Sequence, residues 1–364
     1  MRYTKSKYSA FSPFAIIAFI ITLLSLGLLY ASRKWIAVAD FLNDTICFGY
    51  RRIMAAFADL FGFSLFEILV FLIPVFLVIV VILAVRAFRR GVGRMRFILN
   101  LLSVALLLYS GHIIALGISY NTTTVDKEMG FKTVKVDEEN LADTMILLRD
   151  EVNSLVDYIK FSEDGSSISG YSMDEISDLI CKSYAEISTE YGFVSDFESR
   201  AKAVGPFSIG MSYLGITGIY TYFTGEANVN MSYPDYDVVF TAAHELSHQR
   251  GILRENEANF MAYLACSRSE DAYLRYSAAL NMYQYVGSAL YRTNKDLYYE
   301  IAHGLDQRAK GDIYVSNSVT QKYGDTILND ISDFVNDLFL KSNGTAGIVT
   351  YGRVVILAVS YLQK

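Results

Sequence analysis

Three long apolar runs and then a change of period organise this 364-residue chain. The first, FAIIAFIITLLSLGLLYA, falls within Phe11–Ala31; the second, ILVFLIPVFLVIVVILAV, covers Ile68–Val85; the third, FILNLLSVALLLYSGHIIALGI, covers Phe97–Ile118. Each approaches the ~20 residues a helix needs to cross ~30 Å of hydrocarbon. Pro74 inside the second run is tolerated in a membrane helix. Between the first two runs, residues 35–64 mix aromatic residues with sparse charge at roughly helical spacing. Two readings fit that stretch: a helix along the membrane surface, or a hairpin packed on the rest of the protein.

Beyond residue 120 the pattern turns amphipathic. LADTMILLRDEVNSLVDYI and MDEISDLICKSYAEISTEY repeat apolar residues at helical spacing, with EDGSSISG (163–170) as a loop between them. Residues 204–237 are rich in Gly, Tyr, Thr and Ile. They predict one or two short strands, with turns at Gly205-Pro206 and Thr224-Gly225. Helices resume at Pro234 or Asp235 and run to the end, where Val354–Leu362 reads as a buried closing helix because Arg353 interrupts any longer span. The predicted fold class is α+β and mostly helical: three N-terminal transmembrane helices (about 11–31, 68–85 and 97–118), then a domain over residues 120–364 with a small sheet.

Charge sets an orientation. Residues 1–119 carry 12 Lys/Arg against 4 Asp/Glu, while residues 120–364 carry 20 against 34, so a basic front of +8 precedes an acidic back of −14. Arg2, Lys5 and Lys7 precede the first run, and Arg86, Arg89, Arg90, Arg94 and Arg96 lie around the turn between the second and third. Both groups belong on the cytoplasmic side, which places the N-terminus inside and the acidic domain on the extracytoplasmic face. Arg33, Lys34, Arg51 and Arg52 then fall outside. A cleaved signal peptide ending at Ala37-Val38-Ala39 is the rival for the first run, but Arg33, Lys34 and Trp35 stand where a neutral segment belongs. The acidic back offers no basic patch for phosphates, so nucleic acid is excluded as a partner; the expected partners are a lipid bilayer and a peptide or protein substrate. Cys47, Cys181 and Cys266 form no C-x-x-C pair and read as buried thiols.

The chemistry concentrates in AAHELSHQRGILRENEANF (242–260). On a helix, His244 and His248 share a face one turn apart and can reach one ion, while Glu245 beside them can touch a water on that ion. The bland alternative is a surface helix with two exposed histidines. Gly251 suits a left-handed helix end, after which ENEANFMAYLAC begins a second helix with Glu255 in its first turn. Zn²⁺ in such sites takes three protein ligands and keeps one position open. Glu255 is the expected third ligand, Asn259 one turn on a second-shell partner, and Glu257 the fallback ligand. Arg254 stands where a third histidine would stand in the HExxHxxGxxH pattern, and as a cation it cannot ligate. Glu245 is the expected general base.

HELSH followed by ENEAN resembles the glutamate zincins, which carry HExxH…ExxA[DN]; they include membrane proteases of the HtpX type, the CAAX prenyl proteases and repressor-cleaving proteases of the ImmA type. The resemblance implies a zincin-like fold and puts the third ligand on Glu255. The gap between His248 and Glu255 is short, and Asn259 replaces an aspartate. Over most of its length the chain also resembles a bacterial membrane-protein family, domain of unknown function 3810, through GITGIYTYFTGEANVN, the motif stretch and LKSNGTAGIVTYGRVV. What this implies is a membrane-anchored zinc metallopeptidase; the alternative is a non-catalytic sensor or structural membrane protein that keeps a metal-binding ectodomain. Substrate is expected along an edge strand, either Gly218–Phe223 or Ala227–Asn230, with Asn228 in the cleft and Tyr213, Tyr220 or His303 as donors to an oxyanion.

Overall fold

In the computed structural model of the protein, residues 11–90, 93–324, 326–347 and 352–363 are described. Arg2, Lys5 and Lys7 lie outside them. The first half is built on α1 (Pro13–Lys34), α2 (Ile36–Leu42), α3 (Phe48–Ala58), α4 (Leu65–Arg90) and α5 (Arg94–His112). Among the described residues, three segments are long and apolar enough to cross a membrane: α1, Leu65–Arg89 in α4, and Arg94–Asn121, which extends α5 through a π-turn and a 3₁₀ turn. Helices α1 and α5 run side by side, tied by Ser12 to Asn100 at one end and by Thr22 and Ser110 midway.

The stretch between the first two spans is one helix, α2 and α3 joined through a π-turn at Asn43–Cys47. Its inner face is buried in the protein: Leu42, Asn43, Cys47, Arg51, Ala55 and Ala58 recur at three- and four-residue steps. Its outer face leaves Phe41, Ile46, Ile53 and Phe57 exposed. The hairpin reading therefore describes the inner face, and the outer face keeps the apolar character that suggested a surface helix.

The second half contains α6 (Val125–Glu128), α7 (Glu138–Leu155), β1 (Lys160–Phe161), β2 (Ser167–Ile168), α8 (Met173–Tyr191), β3 (Ala201–Val204), α9 (Ser208–Tyr213), β4 (Gly218–Thr221) and β5 (Glu226–Asn230). It continues with α10 (Asp235–Gln249), α11 (Glu255–Ser267), α12 (Ala272–Thr293), α13 (Lys295–His303), α14 (Gln307–Gly324), α15 (Ile327–Ser342) and α16 (Val354–Leu362). Capping boxes at Asp137/Asn140 and Ser172/Glu175 start α7 and α8 by satisfying N–H groups the helix cannot. The main core gathers α7, α10, α11, α12 and α16, with Tyr184, Tyr236, Phe260 and Tyr276 fully enclosed. As expected, α16 is buried.

Two local expectations need correction. EDGSSISG is not an open loop, because β1 and β2 pair across it as a small antiparallel hairpin. Residues 204–237 do hold two strands, but SIGMSY coils into α9, and a further strand, β3, lies upstream. The sheet order is β3-β5-β4, with β3 parallel and β4 antiparallel to β5. β5 is thus the central strand and has no free edge; of the two candidate edges, only Gly218–Thr221 qualifies.

The polar residues of β5 fasten the sheet to α4. Both Glu226 carboxylate oxygens accept main-chain N–H groups, from Leu65 at 2.7 Å and Phe66 at 2.8 Å, at the positive end of the α4 dipole. Asn228 accepts from Ser64 at 2.7 Å, and Glu67 in turn accepts from the N–H groups of Gly205 and Phe207. Asn228 is therefore a buried joint between sheet and span, not part of a cleft.

Candidate metal centre

α10 runs from Asp235, next to Pro234, to Gln249 and carries His244 and His248 on one face. It ends where the sequence indicates. Gly251 adopts φ +97°, its N–H donates to the His248 carbonyl, and the Ile252 N–H donates to Ser247. That turn brings the Ile252 carbonyl back to accept from His248 Nδ1 at 2.7 Å. With Nδ1–H so committed, Nε2 is the nitrogen left to ligate once it gives up its proton. Gly251 is also forced by crowding: a Cβ there would lie 2.5 Å from Arg51 Nη2 and 2.8 Å from Asn43 Oδ1.

Glu255 is the first residue of α11, and its Oε2 sits 3.2 Å from His244 Nε2 and 3.5 Å from His248 Nε2. One ligand atom from each of the three lies within 4.8 Å of the others. A tetrahedral ion with bonds of roughly 2.0–2.1 Å spaces its ligand atoms about 3.3 Å apart, which the two distances from Glu255 to the histidines match. All three residues are nearly enclosed, and His244 Nδ1 has no hydrogen-bond partner. Burial alone would raise the Glu255 carboxyl, but the charge and hydrogen bonds of His248 and His244 outweigh it and hold the group well below the ordinary carboxylate range. Burial likewise opposes charge on His248, yet the Glu255 carboxylate prevails and lifts the imidazole to about 9. Without an ion, the group is a carboxylate bridging two imidazoles.

Glu245 points from the same helix toward β4. A Cβ on Gly218 would come within 2.6 Å of its Oε1 and 2.5 Å of Thr241 Cγ2, so only glycine lets the strand pass this close. Burial raises the Glu245 carboxyl, partly offset by His244 and His248, and the Tyr220 main-chain N–H favours its charged form. Its Oε2 is buried without a partner. A carboxyl with a raised pKa and one uncommitted oxygen is suited to taking up and returning a proton.

The remaining candidates separate. Glu257 is not a spare ligand: Arg254 Nη1 donates to both its oxygens at 2.8 and 2.9 Å, and Arg254 also donates to the Thr122 carbonyl. Asn259 Oδ1 accepts from the Tyr285 hydroxyl at 3.3 Å, and its amide nitrogen has no partner, so it does not orient Glu255 by hydrogen bonding. Tyr220 meets Glu245 through its main chain, while its hydroxyl is buried and unpaired on the Arg51 side. Tyr213 packs edge-on against Tyr323 at 5.0 Å at the end of α9 and is not brought to the group. His303 is an exposed helix-end residue of α13 whose carbonyl accepts from Lys310. The three cysteines are free.

Sequence reasoning missed three contributors. Arg51, fully buried, donates to Ser119 Oγ at 3.0 Å and to Asn43 Oδ1 at 3.1 Å directly under Gly251. Nothing in the local sequence separates it from its exposed neighbour Arg52. Tyr285 of α12 reaches the site only through the tertiary fold. Gly218 does carry a signal, since a glycine within a short strand marks close backbone approach.

Fold and site together define a mostly helical protein with three membrane-length helices and a buried His-His-Glu group at the junction of two helices. The chain belongs to the family described as protein of unknown function (DUF3810), which matches residues 43–359. That match begins in the π-turn beside Arg51, so it takes in the second and third membrane-length helices as well as the site, and leaves α1 outside it. No curated protein and no solved structure matches the chain.

Proposed function

We propose that this protein is a membrane-anchored, zinc-dependent metallopeptidase that hydrolyses peptide bonds on the extracytoplasmic face. The observation that carries this reading is the convergence of one ligand atom each from His244, His248 and Glu255 to within 4.8 Å of one another, with the unpaired carboxyl oxygen of Glu245 beside them. Zn²⁺ held by these three residues would supply an acidified water and polarise a carbonyl. Glu245 accepts the proton released on attack and returns it to the leaving amine. β4 passes over Glu245 with one edge unpaired in the sheet, and an extended peptide laid along it would present its backbone to the base. The intact base favours catalysis over the sensor or scaffold alternative, because a metal-binding scaffold needs ligands and no base.

The test is turnover by the full-length protein in detergent, using a library of internally quenched peptides. Wild type is expected to cleave, and Glu245→Gln to lose at least about a hundredfold in rate, consistent with removing a positioned proton carrier, while retaining its zinc. A wild-type protein with one zinc per chain and no cleavage anywhere in the library would support the non-catalytic alternative.

A further inference from the structure

α15 has its polarity inverted. Ile327, Ile331, Phe334, Val335 and Leu338 form one face at three- and four-residue steps, and all are exposed, Phe334 to 64%. The opposite side, with Asn329, Ser332 and Asn336, is the half-buried one that faces the protein. A helix docked on a soluble core has the reverse arrangement.

Its position explains which solvent the apolar face meets. At its start, Thr326 donates to the Tyr213 carbonyl, and Asn329 Oδ1 lies so near Gly215 that a Cβ there would clash. Near its end, the Phe339 ring packs on His112 at 5.5 Å and on Tyr120 at 6.4 Å. Arg33, at the end of α1, donates to the Ser342 carbonyl at 2.9 Å. α15 therefore reaches from the segment that precedes β4 to the two paired spans. It meets the third span at a particular level: Leu108 and Tyr109 are exposed on that helix, whereas from Ile113 onward it is covered by protein. At that level the third apolar helix passes from exposed to covered by protein, and α15 ends against it with its own apolar face exposed.

We propose that the outward face of α15 is seated in the outer boundary of the same bilayer that the three apolar helices cross, as an in-plane helix too short to span it. Its flanking charges are Asp330, Asp333, Asp337 and Lys341. With acids in excess, attachment rests on apolar burial and not on attraction to anionic headgroups. The inference is independent of the catalytic reading and of any metal.

Trp35 is the sole tryptophan, so Trp35→Phe gives a dark background in the full chain. Phe334→Trp on the outward face and Ser332→Trp on the inward face are then reconstituted into vesicles of phosphatidylcholine with or without bromine on the acyl chains. Bromine is expected to quench the Phe334→Trp emission strongly and the Ser332→Trp emission little, with aqueous acrylamide failing to quench the former. Acrylamide quenching of Phe334→Trp without bromine quenching would overturn the proposal in favour of a water-facing helix. Protection from both quenchers would overturn it in favour of a protein cover, such as a second copy. Ile331→Trp, on the same face, gives the same reading if Phe334→Trp does not fold.

Discussion

His248 has its two ring nitrogens committed in opposite directions, one to the Ile252 carbonyl and one toward Glu255. The arrangement has a consequence in pH. Glu255 keeps the imidazole protonated up to about 9 in the absence of an ion, and a ligand must be neutral, so below that value binding an ion releases a proton. Zinc affinity is therefore expected to rise about tenfold for each pH unit between 6 and 8, as measured by competition with a chelating dye. A pH-independent affinity would mean that His248 is already neutral. At this scale the sequence was informative where spacing along one helix, or one glycine turn between two, decides proximity: His244, Glu245 and His248 share α10, and Glu255 enters from the first turn of α11, as HELSH and ENEAN indicated. It was uninformative about Arg51 and Tyr285, which arrive from residues far along the chain. It misled for Asn228 and Glu257, whose polar groups are consumed by Ser64 and Arg254.

Among the elements, the proposed peptidase chemistry rests on β4 and α10. Their approach depends on Gly218, since an added methyl would meet Glu245 and Thr241 at 2.6 and 2.5 Å. Gly218→Ala should leave the zinc content unchanged, because the ligands sit on α10 and α11. It should lower peptide turnover by roughly a hundredfold, the scale associated with displacing a reacting group by about an ångström. Turnover equal to wild type would show that β4 does not position the base. Periodicity found the long helices beyond residue 120 and the β4–β5 region because each buries one face or one strand against a core, whereas α4, which has no buried residue in its apolar window, was legible only as an apolar run. It missed β3, only four residues long, and it assigned no element to SIGMSY, where apolar alternation and a helical turn look alike. It could not announce the inversion of α15, because an amphipathic pattern does not state which face turns inward.

For the molecule as a whole, membrane region and site are one construction. Arg51 lies beneath Gly251, Tyr220 packs with Ala115, Leu116 and Tyr120 from the third span, and Glu226 receives the first N–H groups of α4. A boundary near residue 119 cuts through these contacts. The 120–364 fragment is accordingly expected to aggregate or to bind far less than one zinc per chain, as judged by gel filtration and elemental analysis; a monodisperse, zinc-loaded fragment would show that the domain stands alone. The three-ligand group is tested by the zinc content of the full-length protein beside Glu255→Ala and Glu257→Ala, with circular dichroism to confirm folding. About one zinc per chain is expected in wild type and Glu257→Ala, and its loss in Glu255→Ala. A folded wild type that takes up no zinc, or an Glu255→Ala variant that keeps it, would contradict the assignment.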